Sequence, residues 1–211
     1  GFSKTKCPND FETHRRLILL CGSRLPEAYQ NFNNLLLAIQ LIQISSPIAV
    51  FVPLNSSAMA EKVETILTDL GFKVSCESIC EKGISKIWRK KSLLILIGFN
   101  QFSSWAYWGE VGVANAGTAT EQLVGLGVPC VSLPGKGPQF NFDFAKRQSR
   151  LLGGAVCITK DHRNLAKQVE FLLDSDFDRH SIGLVGSKRM GPAGGSQSLA
   201  IMISNHLSQG S

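Results

Sequence analysis

Residues 115–140 read NAGTATEQLVGLGVPCVSLPGKGPQF, and the order of glycine turns, helix formers and apolar residues in this stretch decides the fold. An apolar run at 111–114 ends in Asn115-Ala116-Gly117, and a helical segment then opens with Thr118, Thr120 and Glu121. Gly117 allows the backbone to approach a ligand closely. Thr118 and Thr120 bring hydroxyls to the point where a helix leaves its first N–H groups unpaired. Such a helix start suits an anion, because the unpaired N–H groups and the positive end of the helix dipole act together. Gly127-Val128-Pro129 stops the helix and a second apolar run follows at 130–133. That run leads into Pro134-Gly135-Lys136-Gly137-Pro138-Gln139-Phe140, a turn-rich loop with one cation and one amide. Two strand-and-turn units in succession read as two walls of one pocket.

The same pattern extends outward. An apolar run at 17–21 ends at Gly22-Ser23-Arg24, and beyond Pro26 the residues Leu35, Leu36, Ile39 and Ile42 form an apolar stripe at helical spacing. A continuous apolar run followed by a glycine turn and a helix opens a parallel βα unit, since central parallel strands are covered on both faces. Further strands are expected at 48–54, 72–76, 93–97 and 155–158. Asn55, Ser56 or Ser57 caps a helix that runs to about Leu70 and ends at Gly71. Residues 98–102 read as a loop, with Ser103 or Ser104 capping a short aromatic helix around Trp105, Tyr107 and Trp108. Helices at about 140–152, 164–173, 177–185 and 199–207 complete the series. Residues 77–92 carry charge without periodicity, and the cluster Lys86, Arg89, Lys90, Lys91 around Trp88 reads as a solvated connector.

Seven strands, mostly separated by helices, predict an α/β fold: a doubly wound, mainly parallel, Rossmann-like sheet with right-handed crossovers. Residues 17–211 form one domain, and 1–16 a polar lead-in or linker. In such a sheet the ligand crevice lies beyond the carboxyl ends of the strands, where strand order reverses. That rule joins the Gly22 loop to the Gly117 loop in one cleft.

Composition narrows the function. The chain has 211 residues, 44% hydrophobic and 18% charged, with a formal net charge of +6. The basic residues are scattered outside the one cluster and no aromatic residues alternate with them, so nucleic acid is not an expected partner. The apolar stretch at 93–99 is far shorter than the ~18 residues of a membrane span. Six cysteines, Cys7, Cys21, Cys76, Cys80, Cys130 and Cys157, show no paired C-x-x-C spacing, and Cys21, Cys130 and Cys157 lie in or beside apolar runs. They read as small buried hydrophobes in a reducing cytoplasm. No metal site or cofactor is expected. No serine sits in a G-x-S-x-G elbow, and His14, His162, His180 and His206 lie at apparent loop or helix edges. The chain opens on Gly1-Phe2-Ser3 without Met and reads as a piece of a longer protein.

The strings GTATEQ and GLGVPCVSLPGKGPQF closely resemble the C-terminal, nucleotide-sugar-binding half of GT-B-type glycosyltransferases, which have two facing Rossmann-like domains. Within that group the nearest resemblance is to lipid-A-disaccharide-synthase-related proteins, with weaker echoes at Gly22-Ser23-Arg24 and Arg189-Met190-Gly191. The peptidoglycan N-acetylglucosaminyltransferase and UDP-N-acetylglucosamine 2-epimerase are more distant relatives. The resemblance implies a UDP-sugar donor held by Gly22, Ser23, Arg24, Gly117 and Thr118, with Glu121 on the ribose. It places Gln139, and less firmly Lys136, near the sugar or phosphates, the loop at Phe99 near the uracil edge, and Arg189 near the last helix. Gln122 points about 100° around the helix from Glu121. The acceptor is then a sugar or lipid-linked sugar, and the catalytic residues come from a missing N-terminal domain. Peripheral contact with a membrane is a minor expectation from the lipid-linked acceptors of the related enzymes. Two alternatives stand beside this reading: an epimerase like UDP-N-acetylglucosamine 2-epimerase, and a nucleotide-sugar-binding module without chemistry.

Overall fold

The computed structural model describes residues 5–75, 83–135, 137, 140–192 and 194–209. Eight strands are present among them: β1 (Arg15–Leu20), β2 (Ile48–Leu54), β3 (Lys73–Val74), β4 (Lys86–Lys90), β5 (Leu93–Phe99), β6 (Val111–Ala114), β7 (Cys130–Ser132) and β8 (Val156–Ile158). The helices are α1 (Glu27–Ile39), α2 (Ser57–Asp69), α3 (Phe102–Trp105), α4 (Thr118–Gly125), α5 (Phe142–Leu151), α6 (His162–Asp174), α7 (Asp176–Met190) and α8 (Gly195–Gln209).

The strands form one sheet in the order β3-β4-β5-β2-β1-β6-β7-β8. The six from β5 to β8 in that order are parallel, and β3 and β4 add an antiparallel margin. The doubly wound α/β fold expected from the sequence is therefore the fold observed. The chain moves from β1 to β2 and on to the edge strand β3, comes back through β4 to β5, and then crosses to the other side of β1 at β6. Strand order thus reverses between β1 and β6, which is where a crevice opens in such sheets.

Period-two alternation divides the strands between two cores. Leu17, Leu19, Val50, Val52, Ile95 and Ile97 pack with Phe32, Leu35, Leu36, Val63 and Leu67 of α1 and α2 on one face. Ile18, Leu20, Ala49, Phe51, Leu94 and Leu96 face the other, where Phe51 meets Trp105 and Trp108 at ring-centroid distances of 5.5 and 5.4 Å. Because both faces are buried, the strands read as unbroken apolar runs.

Three local expectations are corrected. Residues 86–90, expected as a solvated connector, form β4, whose Ile87 and Trp88 are buried in opposite cores. Its lysines hide the strand signal because their long stems reach polar partners at the edge. Lys86 Nζ lies 2.6 Å from Glu64 Oε2, and Lys90 Nζ donates to Gln40 Oε1 at 2.6 Å and the Leu70 carbonyl at 2.7 Å. Gly98 and Phe99, expected in a loop, extend β5 and pair with Pro53 and Leu54. α3 begins at Phe102 after Gln101, ahead of the serines expected to cap it. Of the α1 stripe, Ile42 lies beyond the helix end yet still packs against the core. Cys76 and Cys80 lie outside the described residues.

α7 packs closely on α4 because it carries glycine at the crossing. A methyl built on Gly183 would stand 2.1 Å from the Gly127 carbonyl oxygen, and one on Gly186 would stand 2.4 Å from Val124 Cγ1. The first obstacle is backbone and cannot rotate away. Gly183→Ala is expected to destabilise the domain by about 1–3 kcal/mol, the range of an overpacked core, whereas Gly195→Ala, whose methyl meets open space, leaves it unchanged. Denaturant unfolding of the two variants checks this; equal midpoints would show that the helices slide apart without cost.

Candidate functional site

A cleft of about 920 Å³ lies at the carboxyl ends of β1 and β6, at the strand-order reversal. Gly22, Ser23, Arg24 and Glu27 line it from the β1–α1 turn, and Gly117, Thr118, Glu121 and Gln122 from the start of α4. The two loops that the sequence placed together are thus in one cleft. Gln122, expected to point away, lines it as well. Phe140 and Phe144 form a third side, with ring centroids 5.3 Å apart.

The β1–α1 turn needs its glycine. Gly22 has φ +87°, in the left-handed region, and a methyl there would stand 3.3 Å from the Asn115 carbonyl oxygen. Ser23 and Arg24 are exposed, and the Arg24 guanidinium forms no hydrogen bond or ion pair with a described residue. Glu27, three residues on in the sequence, makes no ion pair with it. Glu27 instead approaches the glycine-rich loop so closely that its carboxylate occupies the space a side chain on Gly137 would need.

At α4 the residue before the helix is Gly117, with no side-chain cap. The Gly117 carbonyl accepts from the N–H groups of Thr120 and Glu121 at 3.0 and 3.2 Å. The N–H groups of Thr118 and Ala119 have no partner among the described residues, so two donors remain at the cleft wall. The two threonines divide. Thr118 is exposed at the mouth, but Thr120 is fully buried and its hydroxyl donates to the Ala116 carbonyl at 2.7 Å, so it is not available to a ligand. Glu121 is half-buried in the first turn, and its Oε1 accepts from Gln148 Nε2 at 3.3 Å.

Beneath the cleft lies a pair of buried amides that sequence reasoning did not single out. Asn115 donates from Nδ2 to the Leu133 carbonyl at 2.7 Å and to Asn31 Oδ1 at 3.4 Å, and its Oδ1 accepts from Leu133 N at 3.1 Å. Asn31 in turn donates to the Cys21 carbonyl at 3.1 Å. A polar residue at the end of an apolar run, where no turn demands one, was the available signal for Asn115.

Of the other candidates, Phe99 ends β5 and packs against the core, while Phe102, three residues later, lines the cleft. The Phe99 carbonyl accepts from Gln101 Nε2 at 3.1 Å. Arg189 lies in the last turn of α7 beside Gly153, away from the cleft. Lys136 and Gln139 lie outside the described residues. His180 falls inside α7 and not at an edge, and none of His14, His162, His180 and His206 lines the cleft. Burial pushes the Cys21 thiol up to about 12 and the Cys130 thiol higher still, so both act as inert core residues, as expected. Cys157 is only half-buried, its thiol also raised by burial.

No protein-family model matches the chain, and no curated protein matches it. Solved structures do. The chain is similar to the S. aureus MnaA–UDP co-structure, at TM-score 0.61 and 12% identity over 98% of this chain and 50% of that one. It is similar to a protein assigned as UDP-N-acetylglucosamine 2-epimerase from Listeria monocytogenes, at TM-score 0.60 and 14% identity over 98% and 49%. It is also similar to the C-terminal CMP-Kdo binding domain of WaaA from Acinetobacter baumannii, at TM-score 0.58 and 15% identity over 87% and 92%. The fold is the Rossmann-like domain of the GT-B type. The chain spans about half the length of the first two proteins and most of the third, a single domain. At these identities the likeness is one of fold, and the lipid-A-disaccharide-synthase resemblance continues to rest on the motifs alone.

The buried amide pair generates a prediction. Asn115→Ala removes the partners of both the N–H and the carbonyl of Leu133 below the cleft, so a loss of about 2–4 kcal/mol in unfolding free energy is expected. Chemical denaturation measures it directly. A loss under about 1 kcal/mol, the net worth of one ordinary hydrogen bond, would mean that water replaces the amide.

Proposed function

We propose that this chain is the donor-binding domain of a glycosyltransferase that uses a UDP-sugar, an N-acetylhexosamine or acylated derivative, and that its nearest functional relatives are the lipid-A-disaccharide-synthase-related proteins. One observation carries the reading: the N–H groups of Thr118 and Ala119 and the guanidinium of Arg24, none of them paired among the described residues, share a single cleft with the carboxylate of Glu121. Two kinds of group that hold a diphosphate, helix-start N–H and arginine, are thereby combined with a carboxylate able to accept from sugar hydroxyls. Two of the similar structures involve a pyrimidine nucleotide or its sugar, the MnaA–UDP co-structure and the CMP-Kdo binding domain of WaaA.

In this reading the diphosphate lies on the α4 start and Arg24, with Gly22 and Ser23 giving it room. Glu121 takes the ribose, Gln139 the sugar, and the Phe99–Phe102 loop the uracil. Transfer places negative charge on the departing β-phosphate as the acceptor hydroxyl attacks the anomeric carbon with inversion. Donors fixed in advance at that phosphate stabilise the transition state more than the ground state, so no metal is required of the site. The acceptor, a sugar or lipid-linked sugar, and the base that deprotonates it belong to a second domain outside this chain. The setting is cytoplasmic, with peripheral contact to a membrane where the acceptor is lipid-linked.

The likeness to the Listeria structure favours one alternative, an epimerase acting on the nucleotide sugar alone. The longer protein decides between them. A transferase consumes UDP-N-acetylhexosamine only when an acceptor is supplied, whereas an epimerase changes the sugar or releases UDP without one.

Two variants test the site in the chain itself. Arg24→Ala is expected to weaken UDP by about 1.5–3 kcal/mol, the scale of a charge-assisted hydrogen bond, with little effect on uridine. Equal losses for both ligands would count against a diphosphate contact. Glu121→Ala is expected to cost about 2–4 kcal/mol of UDP binding through two charge-assisted bonds, and to erase the preference for UDP over 2′-deoxy-UDP. Calorimetric titration follows both quantities, and an undiminished ribose preference in the folded variant would remove Glu121 from the ribose.

A further inference from the structure

Gln148 is placed where a hydrophobic residue would ordinarily sit. It belongs to α5, it is 3% exposed, and its Nε2 reaches back to the Ala116 carbonyl at 3.3 Å, the Gly117 carbonyl at 3.2 Å and Glu121 Oε1 at 3.3 Å. Two N–H bonds are thus shared among three acceptors. The orientation of the amide follows from that set, because turning it over would press its oxygen against two carbonyls and a carboxylate. In this orientation Oε1 is buried and has no hydrogen-bond partner. A buried orphan oxygen is a cost to stability, so stability alone does not account for an amide here.

The two carbonyls do not need Gln148 either. Ala116 O already accepts from Thr120 Oγ1 at 2.7 Å, and Gly117 O from the N–H groups of Thr120 and Glu121. The one acceptor for which no other donor appears among the described residues is the carboxylate of Glu121. We infer that Gln148 is a positioning residue that fixes the Glu121 carboxylate, and with it the Ala116-Gly117 turn, in the geometry that receives a nucleotide ribose. This rests on the ribose role proposed for Glu121. A glutamate side chain left to itself samples many rotamers, and immobilising it before the ligand arrives lowers the entropic cost of binding. α5 follows directly on the glycine-rich loop, so the amide also ties the second wall of the cleft to the first.

The consequence is a dissociation of binding from stability. Gln148→Met keeps the length of the side chain, removes the orphan oxygen and removes the donor to Glu121. The melting temperature should not fall. The affinity for UDP should fall roughly tenfold, the scale of one hydrogen bond to a charged group, and the preference for UDP over 2′-deoxy-UDP should shrink with it. In a Glu121→Ala background the same substitution should cost nothing more, since the group it positions is gone. Calorimetric titration of the chain, the two single variants and the double variant with UDP and 2′-deoxy-UDP reads all of this. Should Gln148→Met not fold, Gln148→Leu removes the orphan oxygen and the donor with a shorter apolar side chain, and the same losses are expected. A folded variant with wild-type affinity and ribose preference overturns the inference, as do losses that add fully in the double variant or fall equally on the two nucleotides. If Glu121→Ala weakens UDP while Gln148→Met does not, only the positioning role fails. If Glu121→Ala itself changes nothing, the ribose assignment fails first.

Discussion

A buried asparagine holds the cleft open. Asn115 stands where β6 ends, and its backbone N–H donates to the Leu20 carbonyl at 2.7 Å while its side chain bonds both polar groups of Leu133. The ends of β1, β6 and β7 are therefore tied through a single residue, and Asn31 carries the tie into α1. A side-chain amide can do this because it offers a donor and an acceptor side by side, in the same sense as a peptide group. The result is a strand pairing continued beyond the point where the strands diverge. Without it, the reversal of strand order would leave backbone groups of Leu133 unpaired below a polar cavity.

The other end of the same strands is fixed by charge. Glu110, just before β6, accepts from the Arg16 backbone N–H at 2.8 Å and from Arg15 Nε at 3.3 Å, and lies 3.7 Å from Arg179 Nη2. Arg15 Nη2 is 2.9 Å from the carboxylate, close enough for attraction though not aligned as a hydrogen bond. Three arginines gathered on one carboxylate account for a share of the basic excess at the end of the sheet remote from the cleft. Arg24, unpaired among the described residues of the cleft, is thereby marked out from the arginines that serve the fold. A net charge of +6 describes neither population by itself.

What could be read from the sequence was what depends on neighbours in the chain. The Gly22 and Gly117 turns, the helix from Thr118 and the strand at 48–54 all follow from residues within a few positions of one another, and the rule for parallel sheets then brings the two turns together. The hidden features have distant partners. Asn115 meets Asn31 across 84 positions, and Gln148 meets Glu121 across 27. β4 escaped for a different reason: Lys86, Arg89 and Lys90 describe a surface segment by composition, yet Ile87 and Trp88 between them are buried against both cores. Charged margins of this kind protect an edge from unwanted pairing, and they mask the strand for the same cause. Thr120 shows the converse: its hydroxyl, expected beside the unpaired N–H groups of the helix start, is spent inside the fold on the Ala116 carbonyl.

Taken together, the polar groups around the α4 start fall into two sets by what satisfies them. Thr120, Gln148, Asn115 and Asn31 are buried and turned toward backbone carbonyls or one another, whereas the N–H groups of Thr118 and Ala119 and the side chain of Arg24 have no partner among the described residues at the cleft. The fold spends several side chains on buried hydrogen bonds, yet at one concave surface it leaves backbone donors unpaired among the described residues, and the helix start holds those N–H groups fixed. Fixed donors bind an anion without first being reorganised, and this is the property that separates a binding site from an ordinary helix start. The same geometry explains why the site tolerates a glycine as the residue before α4. A side-chain cap there would occupy the donors that the cleft presents.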